Sequence, residues 1–197
     1  MTDIAGGLVT LEYAATGLHY QDVGSTSNPD NTARDADLVA YVQAATPVIE
    51  EIIGTALSVS KTVAFDGGRR SITIDDRIRS ITSVIENGVT LDPATDYMFD
   101  STENTLYRGA APAPTRRFAI GKANIGVTYV AGYTTIPANV QLACRELVRF
   151  WIEQGNQANR PVFDSGISSS PAAPQGFAVP NRVIELLTPD RSLPGFA

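Results

Sequence analysis

The sequence contains few of the side chains that carry out chemistry. Its 197 residues include one cysteine, Cys144, and one histidine, His19. One cysteine excludes an intramolecular disulfide, and this pair cannot supply the four nitrogen and sulfur ligands of a structural zinc site. The first residues lack a basic stretch followed by an apolar one, and no run approaches the roughly 18 apolar residues of a membrane span. We therefore expect a soluble protein made without an export signal, with no metal, no other cofactor and no membrane contact.

Motifs that bind nucleotides or calcium are absent as well. The glycine-containing stretches "GGLVTLEY" and "DGGRRS" match neither the phosphate loop GxxxxGKS/T nor the strand-to-helix setting of a dinucleotide site. The acidic residues between Asp92 and Glu103 lack the Asp/Asn and Gly spacing of a calcium loop. The sequence thus predicts no catalytic, cofactor-binding or metal-binding residue.

Basic residues are outnumbered by acidic ones. The sequence has 15 lysines and arginines against 21 aspartates and glutamates, a formal net charge of −6 and a pI near 4.7. This balance argues against broad electrostatic attraction to nucleic acid. Six arginines nevertheless gather in the middle of the chain, at Arg69, Arg70, Arg77, Arg79, Arg116 and Arg117. Because aspartates interleave with them, they suit salt-bridged sheet edges or a charged protein interface, and a DNA-binding regulator is the alternative.

The first third of the chain predicts a loop followed by an amphipathic helix. Turn-forming residues dominate 25–34, "STSNPDNTAR". Apolar residues then recur at intervals of three and four over 37–53, where Asp35 or Asp37 is a suitable N-cap. Pro47 lies inside this pattern and removes a backbone donor, so we expect a kink there or a helix that restarts.

The clearest helix begins near Pro137, and a short helix is also predicted over residues 8–16. Apolar residues of the main helix form one stripe, at Val140, Ala143, Cys144, Leu147, Val148 and Trp151. Leu142 falls outside this stripe, where it is available to a second helix or a neighbouring subunit. Cys144 lies on the stripe, where a thiol is usually an inert core residue. A small cysteine hydrolase using His19 and Cys144 is the rival from a different functional class.

The middle third predicts β-structure. Alternating residues over 57–65 and 72–74 flank Asp66-Gly67-Gly68 and read as one hairpin. Asn87-Gly88 predicts a second hairpin, because both residues tolerate positive φ. Further strands are expected at "DYMFD" and "NTLYRG", and "FAIGKANIGVTYV" reads as strand, turn, strand. The predicted fold class is therefore α+β, a small α-helical bundle with an inserted antiparallel β-hairpin and sheet region at about 57–130.

The C-terminal part predicts an extended tail beyond a main domain at 1–156. Residues 157–175 are rich in Pro, Gly and Ser and predict a flexible linker. Residues 176–197 regain apolar side chains, so we expect this segment to dock on its own domain or on a partner. The residues expected to bind are Phe177, Val179, Val183, Ile184, Leu187, the Leu193-Pro194 pair and Phe196.

The order of elements resembles that of the head-tail connector, or adaptor, proteins of long-tailed bacteriophages. The resemblance rests on "SITIDDRIRSITSVIENGVTLDPATDYMFD", "LYRG" and "IGVTYVAGYTTIPANVQLACRELV", within residues 8–155. Family positions are matched at Val127, Tyr129, Ala131, Gly132, Tyr133, Ile136, Pro137, Val140, Ala143 and Leu147. These are packing and turn residues rather than a catalytic signature.

The resemblance implies a non-enzymatic structural protein of the virion neck, made in the host cytoplasm. Its relatives form a ring, usually of twelve copies, beneath the portal protein, and genomic DNA passes through the lumen without specific recognition. A stopper or tail-completion protein joins below the ring, and the chain could itself fill that role. Expected subunit-interface residues are Arg69, Arg70, Arg77, Arg79, Leu142 and Arg149.

Overall fold

The chain folds into two compact units, one helical and one built of β-strands. The computed structural model describes residues 2–18, 29–93, 95–110, 114, 116–158 and 178–190. The helical unit comprises Met1–Ile53 and Ile136–Ser192, and the described β unit runs from Gly54 to Thr135. The predicted α+β class is confirmed. The predicted linker, together with His19, lies almost entirely outside the described residues.

The helical unit contains four helices within its described ranges. They are α1 (Leu11–Ala15), α2 (Pro29–Ile53), α3 (Ala138–Ala158) and α4 (Asn181–Leu187), the last followed by a 3₁₀ turn at Thr188–Asp190. The stripe predicted for the main helix is confirmed, since its six apolar residues are buried on α3. From α2, the buried residues are Leu38, Val42, Ala45, Thr46, Ile49 and Ile53. The faces predicted from periodicity therefore form the helical core.

Helix α2 begins earlier than the sequence predicted. Its first residue is Pro29, so residues 29–34 are helical and the predicted N-caps Asp35 and Asp37 lie inside the helix. Proline suits a first helical turn because its missing N–H would have no partner there. Pro47 neither ends nor restarts the helix. It is exposed, so water can satisfy the carbonyl group that lost its donor.

The β unit consists of two antiparallel sheets that share one apolar core. Its strands are β1 (Val59–Phe65), β2 (Ser71–Thr73), β3 (Ile78–Glu86), β4 (Val89–Thr90), β5 (Tyr97–Asp100), β6 (Thr105–Arg108) and β7 (Ile125–Ala131). One sheet has the order β1-β7-β3-β4, the other β2-β6-β5. Val84 and Val127 from the first sheet, with Ile72 and Leu106 from the second, belong to the same buried cluster. The inner faces thus pack as in a small sandwich.

One predicted hairpin is confirmed and one is wrong. Strands β3 and β4 pair around Asn87 and Gly88, whose φ values are 49° and 82°, as the primed turn requires. Strand β1, however, pairs with β7, while β2 pairs with β6. The turn at Asp66-Gly67-Gly68 therefore does not make a hairpin of β1 and β2, because each of them pairs with a strand farther along the chain.

The turn after β1 closes on a distant loop instead. Gly67 donates its N–H to the carbonyl of Gly121 (2.9 Å) and to Oδ1 of Asn124 (3.0 Å). Gly68 donates to the carbonyl of Phe118 at 3.0 Å. The first strand predicted within "FAIGKANIGVTYV" is consequently absent, and residues 118–124 form an irregular loop held by these bonds.

Gly67→Ala should destabilise the β unit by at least about 2 kcal/mol. A Cβ at position 67 would overlap the carbonyl oxygen of Ala119, so the loop would have to shift. Gly126→Ala is the matched control, because its Cβ would lie 3.9 Å from Ile85 Cβ, an ordinary contact. Urea unfolding measures both variants. Equal midpoints for the two would contradict the close approach at Gly67.

Candidate functional site

Half-buried charges of the β unit are paired with one another. Arg108 contacts Glu86 Oε2 through Nη2 at 3.1 Å and Asp96 Oδ1 through Nη1 at 3.2 Å. The second Glu86 oxygen accepts the N–H of Ala119 at 2.7 Å. This network links β3 to β6 and to the start of β5, and these strands belong to different sheets. The charged side chains of this network therefore stabilise the packing of the two sheets.

Asp76 is the second paired charge. Its Oδ2 lies 2.8 Å from Lys61 Nζ and accepts the Tyr129 hydroxyl at 3.2 Å, and its Oδ1 accepts the N–H of Arg77 at 2.9 Å. Burial alone would raise the pKa of Asp76, but the hydrogen bonds from Lys61, Thr55 and the Arg77 backbone outweigh it and lower that pKa. Burial, followed by the nearby Asp76 charge, raises the pKa of Tyr129 to about 12. These pKa shifts keep Asp76 charged and Tyr129 protonated at neutral pH. The pair therefore holds a fixed charge and is unsuited to proton transfer.

The arginines predicted at a subunit interface divide into two groups. The guanidinium of Arg77 stacks on the Tyr133 ring, 4.2 Å from its centre, and is half-buried. The side chains of Arg69, Arg70 and Arg79 are exposed, and none forms an ion pair with the residues that the structure describes. The aspartates interleaved with them in sequence do not neutralise them. These exposed arginines are available to a partner.

An exposed apolar residue that the sequence did not single out lies beside the turn that precedes two of these arginines, Arg69 and Arg70. Ile120 is 92% exposed, and it lies next to Gly68, since a Cβ there would be 3.5 Å from Ile120 Cγ1. We call the surface formed by residues 66–70 and 117–124 the Ile120 tip. The sequence gives only a weak signal for this residue, because Ile120 lies in a stretch whose pattern predicts a strand.

The helical unit carries a cleft between α3 and α4. Its volume is about 290 Å³. The lining residues are Glu146, Arg149, Phe150, Glu153, Pro180, Arg182 and Val183. Arg149 Nε donates to Glu153 Oε1 at 2.7 Å, and Arg182 Nη1 lies 3.6 Å from Glu146 Oε2. The predicted interface residue Arg149 therefore borders this cleft, whereas Leu142 is half-buried elsewhere on α3.

The C-terminal segment docks on its own unit. Trp151 Nε1 donates to the carbonyl of Ala178 at 3.1 Å, and the Asn139 amide donates to the carbonyl of Leu186 at 3.0 Å. Val183 and Leu187 are 1% and 0% exposed, so they attach α4 to the core. This is one of the two dockings expected from the sequence, and binding to a partner stays a prediction.

The other residues expected to bind a partner differ in accessibility. Ile184 is 38% exposed and Val179 is half-buried. Phe177, the Leu193-Pro194 pair and Phe196 lie outside the described residues. The accessible apolar surface of the described segment is therefore small and centred on Ile184.

The single thiol is unsuited to nucleophilic chemistry. Cys144 is 0% exposed on α3, and burial raises its pKa to about 12. The reactive thiolate is therefore scarcely populated at neutral pH. Within the described ranges, no three His, Cys, Asp or Glu side chains are grouped as metal ligands.

The family of this chain and its role follow from a comparison with family models. The model described as "Head completion protein" matches residues 18–190. The chain belongs to the head completion protein family. Membership confirms the resemblance to the phage head-tail connector group, and this family member is a structural protein of the head–tail neck and its completion. The comparison with curated proteins gave no match.

Solved structures share the fold of this family member. A chain in the neck of an empty gene transfer agent particle, computed with C6 symmetry, is 17% identical with a TM-score of 0.59, covering 100% of this chain and 95% of that one. A chain of a native gene transfer agent virion is 19% identical with the same TM-score and coverage. A chain from the native neck with C12 symmetry gives 17% identity and a TM-score of 0.55, covering 90% of this chain and 95% of that one. None of the described helices is long and apolar enough to cross a bilayer.

Asp76→Asn should lower the stability of this family member at pH 7 by about 1–3 kcal/mol, because Lys61 would lose a half-buried charged partner. The folded pKa of Asp76 is below its ordinary value of 3.8. Its contribution is therefore complete above pH 3.8 and is lost as the pH falls below that value. Urea unfolding across pH should show the difference between wild type and variant shrinking below about pH 4.

The adjacent Asp75→Asn is the control, since Asp75 is exposed, and its effect should be small at every pH. A wild-type advantage over Asp76→Asn that grew on acidification would contradict the assignment.

Proposed function

We propose that this chain is the adaptor of a virion neck, forming a ring of twelve copies beneath the portal protein. The family-model match over residues 18–190 carries the proposal, because that family completes phage heads. The shared fold supports it, since neck chains align with 90–100% of this chain. The protein acts in the virion after synthesis in the host cytoplasm. A stopper or tail-completion protein binds beneath it.

A closed ring needs two different complementary faces on each copy. The exposed arginines Arg69, Arg70 and Arg79 offer a cationic face on the β unit. The region around Arg149 offers a second, on the helical unit, with Leu142 and the stacked Arg77 as further interface residues. Genomic DNA passes through the lumen without specific recognition, and the net charge of −6 disfavours adhesion.

The portal or an adjacent subunit is bound by the C-terminal segment. Val183 and Leu187 hold α4 in place through the core, and Ile184 with Val179 provides the accessible apolar contact. The proposed binding set is completed by Phe177, the Leu193-Pro194 pair and Phe196. Because Val183 and Leu187 are buried and Ile184 is exposed, α4 can be attached to its own unit and still present an apolar side chain to a partner.

A stopper or tail-completion protein is the second candidate, because the description of the family, head completion, fits that position too. The two roles differ in the partner that is touched: an adaptor binds the portal directly, whereas a stopper binds the adaptor. Enzymatic activity forms no part of either role, and the burial of Cys144 gives the cysteine-hydrolase alternative no support.

Ile184→Asp should weaken binding to isolated portal rings by about tenfold or more, equivalent to ~1.4 kcal/mol. The reason is that a carboxylate would be buried in an apolar contact. Val89→Asp makes the same kind of change at a side chain that is 65% exposed in β4, and it should bind as wild type does. Sedimentation of portal with each variant measures the affinities.

Full-strength binding by Ile184→Asp would contradict the docking role of the segment. Failure of the wild type to bind portal, with binding to a separate adaptor ring, would favour the stopper role instead.

A further inference from the structure

Strand β1 leaves one edge of its sheet open over seven residues. It pairs with β7 on one side, and no described strand lies on its other side. Natural sheets usually protect such an edge with a very short strand, a proline or a charge. The opposite edge of the sheet is protected in this way, since β4 has two residues. Strand β1 contains no proline, and its one charge, Lys61, is paired with Asp76 at 2.8 Å.

Three residues of β1 direct their backbone groups to the open edge. Backbone groups along an antiparallel strand point alternately to its two sides. Asn87 donates its N–H to the carbonyl of Asn124, so the even-numbered residues of β7 face β3 and the odd-numbered ones face β1. The residues of β1 that pair with the odd-numbered ones are themselves odd-numbered. Ser60, Thr62 and Ala64 therefore present their N–H and C=O groups to the open edge, and all three residues are exposed.

The apolar core is also open at this edge. Val63 and Phe65 lie on the inner face of β1 and pack against the buried cluster that fills the sandwich, but both are only half-buried. A fifth strand beside β1 would bond to its edge residues and cover these two side chains with apolar residues of its own, placed at alternate positions. The edge thus fits an extended segment that has this alternation and little charge.

Residues 162–168 of the chain itself, "VFDSGIS", have this pattern. They lie outside the described residues and contain no proline. Phe163 and Ile167 are four positions apart, so they share one face when the segment is extended. Other stretches outside the described ranges fit less well: residues 19–28 have one apolar side chain on each face, and residues 169–177 and 191–197 contain prolines.

This segment can reach another copy. Three residues separate it from Ala158, the last residue of α3, and nine separate it from Ala178, whose carbonyl accepts the Trp151 indole N–H at 3.1 Å. At roughly 3.3 Å per residue, these connections span up to about 10 Å and about 30 Å. The β1 edge that the segment meets therefore lies close to the end of α3.

We propose that residues 162–168 of one copy add a fifth strand to the open β1 edge of the next copy. This inference rests on the ring of the proposed function and names one of its contacts. Phe163 and Ile167 cover the half-buried side chains of β1, whose edge residues supply the backbone bonds. The segment and the open edge are different surfaces of one chain, so the contact is heterologous and passes from copy to copy around the ring.

Cross-linking between copies tests this pairing directly. Variants with one added cysteine each, Thr62→Cys and Asp164→Cys, are mixed on portal rings and treated with a short bismaleimide. The mixture should yield covalent dimers, whereas either variant alone should not, and Cys144 gives little background because it is buried. Val89→Cys replaces Thr62→Cys as the control and should give no dimers, since Val89 is 65% exposed on β4 at the opposite edge of the sheet.

Proline substitution tests the backbone bonds. Thr62→Pro removes an N–H that points to the open edge and leaves the bonds between β1 and β7 intact. It should reduce ring formation on portal about tenfold or more. Thr90→Pro is the matched control and should assemble as wild type does. The N–H of the next residue, Leu91, bonds to the Val84 carbonyl, so the N–H of Thr90 points away from its sheet.

A substitution in the segment makes the same test without touching the β unit. Ile167→Asp places a charge where an apolar side chain is needed, and it should reduce ring formation on portal about tenfold or more. Ala172→Asp introduces the same charge outside residues 162–168 and should leave ring formation unchanged.

The outcomes separate this inference from the function on which it rests. Rings that form without the cross-link, or that form at the wild-type level with Ile167→Asp, overturn the strand contact and leave the adaptor role intact. A chain that carries both added cysteines and cross-links only within itself also overturns the contact, because the segment then fills the edge of its own copy. Absence of any wild-type ring on portal overturns the adaptor role and this contact together.

Discussion

Strand β7 is the constraint on which the β unit depends. It pairs along its length with both β1 and β3, and its residues alternate between buried and half-buried. At its end Gly132 has a φ of 98°, and a Cβ there would overlap the carbonyl of Leu57. The chain then enters Pro137 and α3, the central helix of the other unit. One stretch of sequence therefore supplies the principal element of each unit, and it contains packing residues instead of catalytic ones.

The charged side chains of the β unit fall into two groups, those that are paired and those that are exposed. Arg108, Glu86 and Asp76 are half-buried and are paired and hydrogen-bonded, because a charge shielded from water without a partner is costly. Arg69 and Arg70 are exposed and form no ion pair among the described residues, and they follow Gly68, which lies next to Ile120.

The sequence predicted what depends on local periodicity and failed where pairing is distant. The helical stripe ending at Trp151 and the turn at Asn87-Gly88 follow from nearby residues, and both were confirmed. Strand β1 pairs with β7, which begins only at Ile125, and the turn after β1 is held by bonds such as that from the Gly67 N–H to Asn124 Oδ1. No local pattern encodes either. The same holds for the candidate surfaces. The cluster of arginines is evident in the sequence, whereas the exposure of Ile120 is evident only in the structure.

The proposed role of this head completion family member is that of a ring-forming structural protein of the neck. Electron microscopy of the intact virion neck tests it most directly. The expected result is a ring of twelve copies in contact with the portal, with α4 on the portal side or against a neighbouring copy. A neck in which the chain is present as an isolated copy, or is missing from the particle, would contradict the account.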